Sequence, residues 1–174
     1  MAGQRRLLII RLMNREATAR SNRDIVTVSA AIFALAVGVA VYLTDRGGDA
    51  WFVPEPLASD LNRWTIFGAA GGSLPTLVHT AAFAVLIAIA LDLRRNGALL
   101  VCLAWMFVEV LLELLQIGAI GARIAGALPQ AMLVDPIAGY LRSGTFSLGD
   151  LGAAALGGVI AAAALIPRWH RCAE

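Results

Sequence analysis

Glu109, Glu113 and Gln116 lie in the stretch CLAWMFVEVLLELLQ, residues 102–116, which is otherwise apolar. An α-helix turns ~100° per residue, so these three positions fall in one narrow stripe. A carboxylate set against hydrocarbon is costly, so such a stripe faces other helices or a wet cavity. His79, Arg142 and Asp150 are further polar residues within, or at the edge of, apolar runs. Carboxylates and an imidazole can bind a cation or a hydrogen-bond donor, and a guanidinium can hold an anionic group. A His with two carboxylates is, as a variant, a metal-ligand set. Neither Cys102 nor Cys172 has zinc-type spacing, and no metal or cofactor is expected.

The elements that must carry these residues follow from composition. The chain has 174 residues, of which 59% are hydrophobic and only 15% charged. Soluble domains carry about 25% charged residues, so this is the composition of a membrane protein. A helix of ~20 apolar residues spans the ~30 Å hydrocarbon core. Four runs have that character, at about 25–43, 74–93, 98–120 and 147–166. Pro75 falls in the first turn of the second run, where proline is tolerated. The expected fold is therefore all-α: a polytopic membrane protein built as a four-transmembrane-helix bundle over 25–166.

The connections have their own character. Residues 1–24 hold Arg5, Arg6, Arg11, Arg15, Arg20 and Arg23 among apolar residues, and read as a basic cytoplasmic segment that sets topology. They lack the aromatic interleaving of a nucleic-acid surface, so no nucleic-acid partner is expected. The connection 44–72 carries Trp51, Phe52, Trp64 and Phe67 as interfacial anchors, with a short surface helix expected at 56–67. A semi-apolar piece at 127–141, interrupted by Pro129 and Pro136, lies in the interface or dips into the membrane. Residues 167–174 form a basic tail. All 14 basic residues are Arg, which points to the coding bias of a GC-rich bacterial genome.

Arginine placement orients the runs. The N-terminus, the Arg94–Arg95 turn and the C-terminal tail are basic, so the positive-inside rule puts both termini in the cytoplasm of a bacterial inner membrane. On that topology His79 lies ~8 Å below the outer end of its run. Glu113, Gln116 and Asp150 fall at similar depth, with Arg142 in reach and Glu109 one turn deeper. Each also has a purely structural reading. Ser147 and Asp150 fit S-x-x-D, a capping box for the fourth run. His79 would join two helices by a hydrogen bond, Glu109 would be packed, and Gln116 would cap its helix. Gly149, Ala153, Gly157 and Ala161 form a small-residue stripe for close helix packing.

This set of residues resembles the VanZ-like membrane proteins. The matching pieces are Leu77-Val78-His79 with Phe83, then Glu113-Leu114-Leu115-Gln116, then Arg142 with Thr145-Phe146-Ser147-Leu148-Gly149-Asp150, continued by Ala155-Leu156-Gly157. The resemblance covers roughly residues 73–166. Pro75-Thr76 stands where the family often has Asp-Lys, and Ala154 where it usually has Asn. The family takes its name from a protein linked to teicoplanin resistance, so the resemblance implies association with the cell envelope.

Two functions follow as expectations. In the first, an outer polar pocket of His79, Glu113, Gln116, Asp150 and Arg142 binds a lipid headgroup, a cell-wall precursor or a glycopeptide. In the second, the chain is a non-catalytic accessory subunit packed into a larger membrane complex. No nucleophile–base pair or phosphate-cradling glycine loop is visible, so no enzymatic activity is assigned. The expected partners are membrane lipids and other membrane subunits.

The topology is testable by labelling. In a background lacking Cys102 and Cys172, an impermeant thiol reagent on intact cells should modify Ser59→Cys and spare Asn96→Cys. Modification at position 96 would overturn the orientation.

Overall fold

A computed structural model describes residues 2–45, 66–129 and 134–169. Among them every regular element is helical: α1 (Ala2–Asp45), a 3₁₀ turn (Gly68–Gly72), α2 (Leu74–Ala90), α3 (Arg95–Leu115), α4 (Gly118–Ala127), α5 (Asp135–Ser143) and α6 (Leu148–Trp169). The short helix expected at 56–67, the anchors Trp51, Phe52 and Trp64, and the end of the tail with Cys172 lie outside the described residues.

Three helices are long and apolar enough to cross a membrane: Ala17–Asp45 within α1, Arg95–Leu115, and Leu148–Pro167 within α6. They wear their large apolar side chains outside. Ile32, Phe33, Leu100, Leu103, Phe107 and Val159 each expose more than half of their surface. A water-soluble domain rarely leaves so much apolar surface uncovered, and hydrocarbon is the solvent that suits it. The chain thus has the build of a membrane protein. The fourth apolar helix, α2, has 17 residues, or about 26 Å of rise.

α2 packs against α1, α3 and α6 and is the shared neighbour of the bundle. Its buried face is made largely of small residues, with Thr80, Ala82, Ala84, Val85 and Ala88 almost or fully inaccessible. Ala31, Ala98, Cys102, Ala161 and Leu165 from the neighbouring helices complete that core. Thr80 is fully buried yet satisfied, its hydroxyl donating to the Thr76 carbonyl at 2.7 Å.

Glycines on both sides permit the approach. A Cβ at Gly157 of α6 would come within 2.6 Å of the Leu77 carbonyl oxygen and 2.8 Å of Thr80 Cβ. A Cβ at Gly38 of α1 would meet Val78 Cγ2 at 2.7 Å. In the small-residue stripe of α6, Ala153, Gly157 and Ala161 are buried and Gly149 approaches Ser73.

The helix ends are fixed locally. At the end of α2 the Leu93 N–H bonds to the Ala88 carbonyl at 2.9 Å and the Asp92 N–H to the Ile89 carbonyl at 3.0 Å. This is a Schellman closure with Asp92 in the left-handed region, φ 45°. Asp92 also pairs with Arg20, tying the end of α2 to α1. At the other end of α1, the Asp45 carboxylate accepts the N–H groups of Ile66 and Phe67, both at 3.0 Å. Gly71 leaves room for that carboxylate.

Two helix boundaries differ from the sequence reading. The backbone of the basic segment is helical from Ala2 and runs without a break into the first apolar run. The third run stops as a helix at Leu115 rather than near 120. The N–H groups of Gln116 and Ile117 fold back onto the Glu113 and Leu114 carbonyls, Ile117 turns extended, and α4 starts afresh. α4 and α5 pack on each other around Ala125, Ala138 and Leu141.

Gly157→Leu should therefore force α6 away from α2 and cost about 1–3 kcal/mol, as overpacking does. Ala155→Leu, on the exposed side of the same helix, should stay within about 0.5 kcal/mol of the parent. Thermal unfolding in detergent compares the two. Equal stability of both variants would contradict the packing.

Candidate functional site

The start of α6 is built by a residue from another helix. Ser147 is its N-cap, and the Ser147 hydroxyl accepts the Asp150 N–H at 3.3 Å. A capping box would return the favour through the Asp150 carboxylate. Instead the Ser147 N–H donates to Glu113 Oε1, from the last turn of α3. The carboxylate sits at the positive end of the α6 dipole and makes a charge-assisted bond there. Glu113 is 7% exposed and Asp150 6%, so both are interior groups. The capping reading of Asp150 holds for its backbone N–H; the reciprocal bond belongs to Glu113.

Gln116, also 7% exposed, lies across the connection into α6. Its Cγ, Cδ and Oε1 come within 2.5–2.6 Å of where a Cβ on Gly144 would stand. Only a glycine admits the amide there. Gly144 has φ −65°, so the requirement is space and not backbone freedom.

His79 takes its place in a row of rings. It stacks with Tyr42 of α1 at a centroid distance of 6.2 Å and 22°, and meets Phe83 at 5.8 Å. Phe83 in turn meets Trp105 of α3 at 5.0 Å. Gly38 gives the imidazole its room on α1, with Nε2 3.7 Å from an added Cβ. One turn beyond Trp105 comes Glu109, close enough to the indole, to Glu113 and to Asp150 to interact with all three. The Trp105 Nε1 is nevertheless buried with no hydrogen-bond partner of good geometry among the described residues.

Tyr140 of α5 closes the row. Burial, then the nearby Tyr42 hydroxyl, then the carboxylates of Glu113, Glu109 and Asp150 push its own hydroxyl up to about 12. It remains a neutral phenol and a hydrogen-bond donor at every physiological pH. The residue leaves 40% of its surface open, so it stands at the rim. The side chains trace a loose circuit: Tyr42, His79, Phe83 and Trp105 in ring contact, then Glu109, Glu113, Asp150 and Tyr140 within electrostatic reach of one another, and Tyr140 within the same reach of Tyr42. Five helices contribute.

Of the residues singled out from sequence, Glu113 and Asp150 come together directly around Ser147, with Glu109 beside them. His79 belongs to the same circuit but reaches the carboxylates only through other rings. Arg142 points elsewhere: its guanidinium donates to the Ala125 carbonyl at 3.4 Å, at the end of α4. Tyr42, Trp105 and Tyr140 are not among the residues singled out from sequence. One signal was available, since the chain has only two tyrosines and both lie here. Among the described residues no three His, Cys, Asp or Glu side chains gather closely enough to hold a metal ion.

No family model, no curated protein and no solved structure matches this chain.

The shared cap predicts energetic coupling. Glu113→Leu leaves the Ser147 N–H without its acceptor and should cost about 1–3 kcal/mol. Combined with Ser147→Ala, it should depart from additivity by about 0.5–3 kcal/mol, because both act on one helix start. His79→Ala with Ser147→Ala, which share no partner, should add within about 0.3–0.5 kcal/mol. Unfolding free energies of the single and double variants decide, and additivity of the first pair would remove the inter-helix cap.

Proposed function

We propose that this chain is a membrane-embedded binding protein of the bacterial cell envelope. Its polar circuit receives the amine-bearing headgroup of a lipid, a cell-wall precursor or a glycopeptide. The observation that carries this reading is the gathering of Glu109, Glu113 and Asp150 with Tyr42 and Tyr140 at one end of an apolar bundle. Carboxylates attract an ammonium group, and the faces of Trp105 and Tyr140 add cation–π attraction. Phenol hydroxyls offer hydrogen bonds to the hydroxyl or carbonyl groups of the same headgroup. The action is binding, and no bond in the ligand is broken.

The reading includes α2 as a fourth span, with the circuit on the outer side and both termini cytoplasmic. The Arg94–Arg95 turn and the basic α1 supply the support for that orientation. Membership of the VanZ-like family is part of the same proposal. It rests on the His79, Glu113-Gln116 and Ser147-Asp150 motifs, and the proximity of Glu113 to Ser147 supports it. A second reading, an accessory subunit, is favoured by Leu100, Leu103 and Phe107, which α3 exposes by 57–66%. Such a face suits a partner helix as well as lipid.

Native purification separates the two. Protein recovered alone should carry a bound amine-bearing lipid or precursor, visible by native mass spectrometry. Glu109→Gln with Asp150→Asn should lose it. Recovery only in a stoichiometric complex, without such a ligand, would favour the subunit.

A further inference from the structure

The end of the bundle opposite the circuit has a different chemistry. There Arg20 of α1 pairs with Asp92, which closes α2, and Arg94 and Arg95 follow at once in the turn to α3. Arg23 lies one turn from Arg20 on α1. All four arginines are exposed, Arg20 by 56% of its side chain even while paired. Directly beside them the surface turns apolar: Ile25, Val26 and Leu91 expose 60–68%. Guanidiniums thus stand where hydrocarbon-facing surface begins, which is the level of lipid phosphate in a bilayer.

At this level α1 also borders an open groove of about 610 Å³, within the range of small-ligand sites. Arg20, Ser21 and Asp24 line its polar part, and Ile25 and Val28 its apolar part. We infer that the groove, with Arg20 in its lining and Arg94 and Arg95 brought near by the Arg20–Asp92 pair, forms a seat for one anionic phospholipid. Its phosphate lies among Arg20, Arg94 and Arg95, and an acyl chain runs along Ile25 and Val28. Charge and polarity select this occupant. Three guanidiniums, Arg20, Arg94 and Arg95, stand against two carboxylates, Asp24 and Asp92, so the site stays net positive and attracts an anion. The groove runs from charged to apolar along one helix, as a phospholipid does from headgroup to chain. A soluble anion would use the arginines and leave Ile25 and Val28 exposed. The Arg20–Asp92 pair brings α1 beside the α2–α3 turn, so both halves of the seat face the same level.

The test uses the full chain released from membranes in mild detergent and titrated with lipid under native mass spectrometry. Phosphatidylglycerol should bind more tightly than phosphatidylcholine or phosphatidylethanolamine of the same chains. The double variant Arg94→Gln/Arg95→Gln leaves the Arg20–Asp92 pair in place. It should weaken phosphatidylglycerol binding about fivefold per arginine at low salt and leave phosphatidylcholine binding unchanged. Val28→Trp, which fills the groove and alters no charge, should weaken it as well, with helix content by circular dichroism unchanged. Equal affinity for the three lipids would overturn the proposal, as would indifference to either variant. Thermal stabilisation by inorganic phosphate equal to that by phosphatidylglycerol, with the same arginine dependence, would assign the site to a free anion and overturn it too.

Discussion

The close approach of α2 to its neighbours is the constraint on which the other arrangements rest. In hydrocarbon there is no hydrophobic drive to bring helices together, so packing and backbone proximity must do it. Gly38 on α1 and Gly157 on α6 let α2 settle between them. The short distances at Val78, Leu77 and Thr80 leave no space for any side chain at either position. Once α2 is seated, His79 is held over Gly38 and stacked on Tyr42, and Phe83 is brought against Trp105 of α3. The row of rings is a consequence of where the glycines are.

The second constraint acts at the ends of helices. Glu113 is drawn inward because the first N–H of α6 needs an acceptor and Ser147 cannot supply one to itself. That single bond brings the end of α3 beside the start of α6. Asp150, bonded through its backbone to Ser147, is carried into the same place. A cluster of acids inside an apolar bundle would be costly if each stood alone, yet here one of them completes a helix. The opposite end of the molecule obeys other rules. Arg20 and Asp92 are exposed, and their pairing is a modest surface tie rather than a foundation.

Local pattern and tertiary arrangement contributed unequally to what could be read from the residues. The membrane class, the apolar runs and the stripe of Glu109, Glu113 and Gln116 were legible because helical periodicity is a local property. The small-residue stripe of α6 was legible for the same reason, and Ala153, Gly157 and Ala161 are indeed buried. The partner of Ser147 was not legible. An S-x-x-D motif assigns that N–H to Asp150, and a residue 34 positions away took it. Tyr140 was invisible because it lies in a nine-residue helix whose position depends on Gly121, Gln116 and Gly144 packing around it. Arg142 illustrates the converse: proximity in sequence to α6 suggested one destination, and the last carbonyls of α4 provided another. The end of α3 at Leu115 was set by backbone hydrogen bonds that hydropathy does not register.

The unbroken length of α1 has a mechanical consequence. Its backbone is helical from Ala2 to Asp45, and it is held to the bundle at Gly38, at Ala31 in the shared core and at Arg20 through Asp92. At 1.5 Å per residue the arm from Arg20 back to Ala2 is about 27 Å long. No proline interrupts it. A rigid arm tilting by ~10° about Arg20 would carry its tip through about 5 Å, given the same rise per residue. The imidazole of His79 lies toward the other end of α1, over Gly38. A tilt of the basic arm therefore turns at the Arg20–Asp92 pair, and the core contacts at Ala31 and Gly38 separate it from the aromatic row.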